Sequence, residues 1–474
     1  MIARRLPFVV VGAALAGLLV VDRAETEPVP AATYGQRPLV QSTPALFKGD
    51  VLSTSWFCPG GPTIGDRSTS VTMFNSTDDP REVTVSAVSE AGVRGSVPLT
   101  LPPRNRAVVN LADLAAGEHT AATVAAYGGG VAVEQTVVGR SGVATSPCAD
   151  RASSSWYLAD GTTTQDAAFI LVLYNPFPDD AVVDVSLTTI ERTLEPPGLQ
   201  AVVVPGQSLR IFDITQAAQR EELVSTVVRG RGARIVAGRI QSSDNPNRRG
   251  FAAGVAAAQP QQTWWFPDGG KGEGVVERFV VFNPGELDAA VDLSFLPADG
   301  VAPPAPVSIV VPPSSFQLVD VDALAEVSPG DHSTVVNVVG DETPVVVERL
   351  LTRPVDDTPV TTILLGSQLT VPQWYVIEEA AARGGVVVVM NSAGLPTTAA
   401  VKAIGPAGAV PVPGFEAVPI PAGGSAAITI PETVGGFPLL VEGAQPIVVE
   451  WRARADAGDR VSRVDALAFP VIGG

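Results

Sequence analysis

Four aromatic pairs, Trp56-Phe57, Trp156-Tyr157, Trp265-Phe266 and Trp374-Tyr375, divide this chain of 474 residues into stretches of 100 to 109 residues. Each pair is followed 17 to 19 residues later by an asparagine that closes an apolar run: Asn75, Asn175, Asn283 and Asn391. A proline turn comes next (Pro102-Pro103, Pro205-Gly206, Pro312-Pro313, Pro421-Ala422). Each stretch then ends on Val133-Glu134-Gln135, Ala237-Gly238-Arg239, Val347-Glu348-Arg349 or Val449-Glu450-Trp451. Solenoid repeats run 20 to 50 residues, so a period of this length is that of a small domain.

The apolar runs inside each stretch are short, β-branched and alternating. Glu82-Val83-Thr84-Val85-Ser86-Ala87-Val88, Val183-Asp184-Val185-Ser186-Leu187 and Val291-Asp292-Leu293-Ser294-Phe295 place apolar side chains at period two. That is the signature of antiparallel strands with one buried face. Asparagine before a turn fits a side chain that bonds the backbone two residues on. Helix-compatible pieces are brief (Ala112–Ala116, Thr215–Leu223, Asp322–Glu326), and Pro431–Gly436 breaks the pattern in the fourth unit. We expect an all-β chain of four tandem immunoglobulin-like sandwiches at residues 46–150, 151–259, 260–368 and 369–474. A β-propeller is the alternative, disfavoured because no half-period is evident.

Residues 1–21 have the form of an export signal. Arg4 and Arg5 precede the uncharged stretch Leu6 to Val21, and no A-x-A site follows directly. The reading is an uncleaved signal anchor with the rest of the chain outside, and cleavage between Arg23 and Thr33 is the alternative. Pro28, Pro30, Pro38 and Pro44 make residues 22–45 an extended stalk. Only two cysteines occur, Cys58 and Cys148, bracketing the first unit, and in an oxidising compartment they are expected to pair.

A net charge of −18 with three lysines (Lys48, Lys271, Lys402) argues against nucleic-acid binding. No metal or cofactor motif is present: two cysteines and two histidines cannot build a zinc site, and Asp320-Val321-Asp322 lacks calcium-loop spacing. His119 and His332 lie in no nucleophile motif, so no catalytic residue is assigned. Gly128–Gly130 reads as a hairpin turn, as do Asp160-Gly161 and Asp268-Gly269. The aromatic pairs read as core or seam anchors rather than sugar platforms, and Glu348-Arg349 as an outward or strand-edge ion pair.

The combination of W-[FY], N-[PS], proline turn and V-x-E-[RQ] resembles an uncharacterised actinobacterial family of exported or membrane-anchored envelope proteins with tandem β-sandwich repeats. The resemblance implies an extracytoplasmic place and no particular chemistry. The expected role is a non-enzymatic scaffold or adhesion module whose partner is an envelope protein or cell-wall polysaccharide. A carbohydrate-binding accessory of wall assembly is the alternative.

Overall fold

The computed structural model describes residues 43–473 except 49–50, 246–247, 299, 341–342 and 380–383. The expected anchor (1–21) and most of the expected stalk lie outside the described residues. No helix among those described is long and apolar enough to cross a membrane.

Among the described residues, strands are by far the dominant regular structure and helices are single turns. In the first unit, strands Ser53–Gly61, Thr120–Tyr127, Arg81–Ser89 and Arg94–Leu101 lie side by side in one antiparallel sheet. Strands Arg106–Asn110, Ser68–Asn75, Val131–Val138 and Val143–Pro147 form a second sheet. In order along the chain the sheets read 1-6-3-4 and 5-2-7-8. The second and third units repeat both orders. That differs from the ABED and CFG sheets of an immunoglobulin domain. The alternating runs explain the layering: Val83 and Val85 of one sheet meet Val71 and Met73 of the other in a single core. In the fourth unit the sixth and seventh strands run on as one, Leu439–Ala457, which joins both sheets. The expected helical pieces shrink to single turns, Ala112–Ala115, Ile214–Gln216 and Val321–Ala323, and the fourth unit also has one, Glu432–Val434.

Four closing strands, Val143–Pro147, Arg248–Val255, Thr358–Leu365 and Arg460–Leu467, pack against one another in cyclic order around a common axis. The fourth unit thereby meets the first, and Val143 N–H donates to Ser462 Oγ at 3.1 Å. Closure around an axis is the one feature shared with a propeller; each unit here is a two-sheet sandwich, not a blade. Leu46 and Phe47 complete the closure by pairing in parallel with Val471 and Ile472 at the far end of the chain. Thr43 and Ala45, inside the segment read as stalk, are buried: Gln368 N–H donates to Thr43 Oγ1, and Ala45 N–H to Asp150.

Each predicted asparagine is buried and acts as a buckle. Asn75 Oδ1 accepts from Thr77 N–H at 3.0 Å while Nδ2 donates to Asp79 O and Leu101 O. Asn175, Asn283 and Asn391 make the same bonds to Phe177, Gly285 and Ala393 at two residues on, and to Asp179, Leu287 and Leu395 at four. Asn175 and Asn283 also donate across to the strand that ends before the proline turn, at Val204 and Val311, and Asn391 to the turn's own Pro421. One amide thus satisfies a tight turn and ties it to a distant strand.

Cys58 and Cys148 form a disulfide, with Cα atoms 4.6 Å apart. The antiparallel pairings of Tyr157 with Ala257, Trp265 with Ser367 and Tyr375 with Phe469 put Leu158 opposite Ala256, Phe266 opposite Gly366 and Val376 opposite Ala468 in the equivalent places. The bridge therefore replaces a large–small apolar contact that fastens the first strand to the segment after the closing strand. Closing a loop of 90 residues is worth up to about 4–5 kcal/mol through the unfolded chain. Cys58→Ser with Cys148→Ser should lower the unfolding free energy by no more than that. Amide exchange should rise first in Ser53–Gly61, with the equivalent strands of the other units unaffected.

Candidate functional site: the seams and the axial cavity

Adjacent residues of a strand face opposite ways. In the aromatic pairs this splits the work. Trp56, Trp156 and Trp374 sit in their own unit's core, and the indole N–H of Trp156 and Trp374 donates to Ile235 O and Ile447 O at 2.8 and 2.9 Å. The next residue enters the following unit: Phe57 joins the second core, Tyr157 the third and Tyr375 the first.

The third unit corrects the sequence register. Trp264, fully buried and bonded to Val345 O at 2.9 Å, is the equivalent of Trp56, Trp156 and Trp374. Trp265 is the second member of the pair, partly buried against the fourth unit's core. Two successive tryptophans made either choice fit the motif.

The same alternation governs the glutamate–arginine step, and here the expectation of an outward or strand-edge pair fails. Glu348 and Arg349 are buried and not paired with each other. Glu348 reaches back to Arg239 of the second unit at 2.8 Å, and Arg349 reaches forward to Glu450 of the fourth with a two-pronged contact of 2.5 and 3.1 Å. Arginine of one unit thus clasps glutamate of the next. The Asp-Gly steps read as turns supply the floor of each clasp. Asp160 N–H donates to Glu348 and its carbonyl accepts from Arg239; the Asp268 peptide does the same with Glu450 and Arg349.

The other two seams differ. Between the first and second units Gln135 replaces arginine and Gly238 replaces glutamate. Gln135 Oε1 accepts from Gly60 N–H at 2.8 Å, and Pro59 stands where a side chain at Gly238 would be. Between the fourth and first units Trp451 stands in the arginine position, leaving Glu134 buried beside Glu378. Burial and then the Glu378 charge push the Glu134 carboxyl well above the usual carboxylate range.

Asp268, Glu450 and Asp465 bring carboxylate oxygens within 4.8 Å of one another, a geometry that could hold a cation. Arg349, Arg353, Arg452 and Arg463 already surround them. Four guanidiniums against three carboxylates leave no net negative charge to attract a metal. These arginines hold Asp268 down to about 2 despite its burial. His332 contacts Glu277 at 2.6 Å, but both lie inside the third sandwich, closed to substrate.

On the axis lies a cavity of about 90 Å³. The four closing strands line it, with Arg239 and Glu348 on its wall and Thr43-Pro44 at its edge.

Fold and site thus define a cyclic array of β-sandwich units clasped by buried ion pairs. Residues 129–248 and 242–349 are each similar to a family of unknown function (DUF5719). Two successive matches to one family reproduce the repeat. No curated protein is similar in sequence. Among solved structures, Thermotoga maritima 1070 is 19% identical, with 23% of this chain and 94% of that one covered, at a TM-score of 0.21. The Anabaena sensory rhodopsin transducer is 23% identical, covering 19% and 88%, at 0.17. A tetra-tandem repeat from the extending region of a large adhesion protein is 12% identical, covering 88% and 98%, at 0.11. Likenesses this low carry no argument about function.

Arg349→Met should cost about 3–5 kcal/mol of unfolding free energy, because Glu450 is left buried and unpaired. Arg349→Met with Glu450→Met should recover most of it in denaturant titration. Glu134 should give the opposite pH trend to an ordinary paired carboxylate. Its folded pKa lies above its unfolded one, so its contribution is whole below the unfolded pKa and is lost as pH rises through the folded one. Glu134→Gln should flatten that decline in stability with rising pH.

Proposed function

We propose that this chain is a non-enzymatic, extracytoplasmic scaffold that displays sandwich loops to an envelope protein or polymer. One observation carries the reading: the repeated residues are spent on holding the array together. The four core tryptophans, the four asparagines and the glutamate–arginine clasps are all buried. Chemistry that recurs along the array is thereby withdrawn from solvent, and what each unit shows outside is its own loops. The disulfide supports an oxidising compartment outside the cytoplasm. An uncleaved N-terminal anchor would hold the array at a membrane, in keeping with the resemblance to actinobacterial envelope proteins.

In-cell crosslinking of the full chain should recover one saturable envelope partner, and loop replacements should abolish capture while Trp56, Trp156, Trp264 and Trp374 stay buried. Turnover of wall polysaccharide by the purified chain would overturn the non-enzymatic reading. Saturable binding to one glycan that disappears with Tyr127→Ala or Phe437→Ala, two exposed rings, would favour the carbohydrate-binding alternative.

A further inference from the structure

The axial cavity is built unevenly. Much of its wall is Ala, Val, Ile and Leu from the closing strands, among them Val255, Ile363 and Leu365, which are only partly buried. Two arginines interrupt it, from the second and fourth units. Arg239 uses a single nitrogen, Nη1, for both Glu348 and the Asp160 carbonyl. Arg463 uses Nε and Nη2 for Asp465 and Asp268. Among the described residues nothing accepts from Nε or Nη2 of Arg239, or from Nη1 of Arg463. Unlike Nε of Arg349, these three nitrogens are not sealed in the interior.

The two acidic residues on the wall have less to offer. Asp465 already accepts from Arg463 on both oxygens and from Thr362 at 2.6 Å. Glu348 uses Oε2 for Arg239 and Asp160 and keeps Oε1. Spare capacity is therefore three charged donors against one charged acceptor, in a largely apolar concavity. A concave site with mostly apolar walls and a few directed polar groups is what a small-molecule pocket requires. Charge-assisted bonds from arginine select carboxylate over a neutral hydroxyl.

We propose that the cavity binds a small aliphatic monocarboxylate, its head on the spare nitrogens of Arg239 or of Arg463 and its chain along the closing strands. A volume of about 90 Å³ corresponds to roughly six to nine waters, which suits a chain of about six carbons. The inference is independent of the scaffold reading and stands whether or not an envelope partner is found.

The test is calorimetric titration of the full chain with hexanoate, butyrate, 1-hexanol and hexylammonium. Hexanoate should bind saturably at one site, butyrate roughly tenfold more weakly for two lost methylenes, and hexylammonium not at all. Val255→Phe and Ile363→Phe, which fill the cavity and leave every charge in place, should each remove binding while the Cys58–Cys148 bridge remains. Hexanol binding as tightly as hexanoate would overturn the role of the arginines. Unchanged binding in either folded variant would place the ligand elsewhere, and absence of saturable hexanoate binding would end the proposal. Should neither variant fold, the head-group and chain-length series decides alone.

Discussion

Everything in this structure follows from the two-sidedness of an extended strand. A residue pair i, i+1 serves two neighbours at once, one on each face. The aromatic pair uses this to fill its own core with the first ring and the next unit's core with the second. The glutamate–arginine pair uses it to pull on the unit before and the unit after. Neither pair could do so on a helix, where adjacent side chains diverge by about 100° rather than opposing each other. A tandem array of otherwise ordinary sandwiches is thereby joined into one compact unit.

Buried ion pairs of this kind are poor sources of stability and good sources of specificity, because their desolvation cost offsets much of their attraction. Arg349 and Glu450 are both fully buried, and a unit docked in the wrong place would strand both charges. Apolar contacts alone would tolerate slippage of one sandwich over the next. The clasp sets the relation between neighbours, and the rings beside it supply the area.

Much of this was legible in the sequence. The asparagine buckles were readable because an Asx turn is local, with its acceptor two residues away. The bridge between Cys58 and Cys148 followed from there being no other partner. The seams were not readable in the same way. Arg239 and Glu348 are 109 residues apart, and Arg349 and Glu450 are 101 apart, so each pair is separated by one repeat and looks local only when the units are stacked. Glu348-Arg349 invited a neighbour pairing that strand geometry forbids. The signal that would have fixed the third unit's register was present: an acidic residue follows four positions after Trp156, Trp264 and Trp374, at Asp160, Asp268 and Glu378.

The four seams are of three chemical kinds: glutamine and glycine at one, arginine clasps at two, and at the last a tryptophan in the arginine's place with Glu134 buried beside Glu378. A head-to-tail interface repeated without change has no inherent end, and copies can add to one another indefinitely. Here the fourth unit offers no arginine to a following unit, and the first offers none to its neighbour. Only the second–third and third–fourth junctions exchange the same handshake. The order of these units is thus written into their contacts.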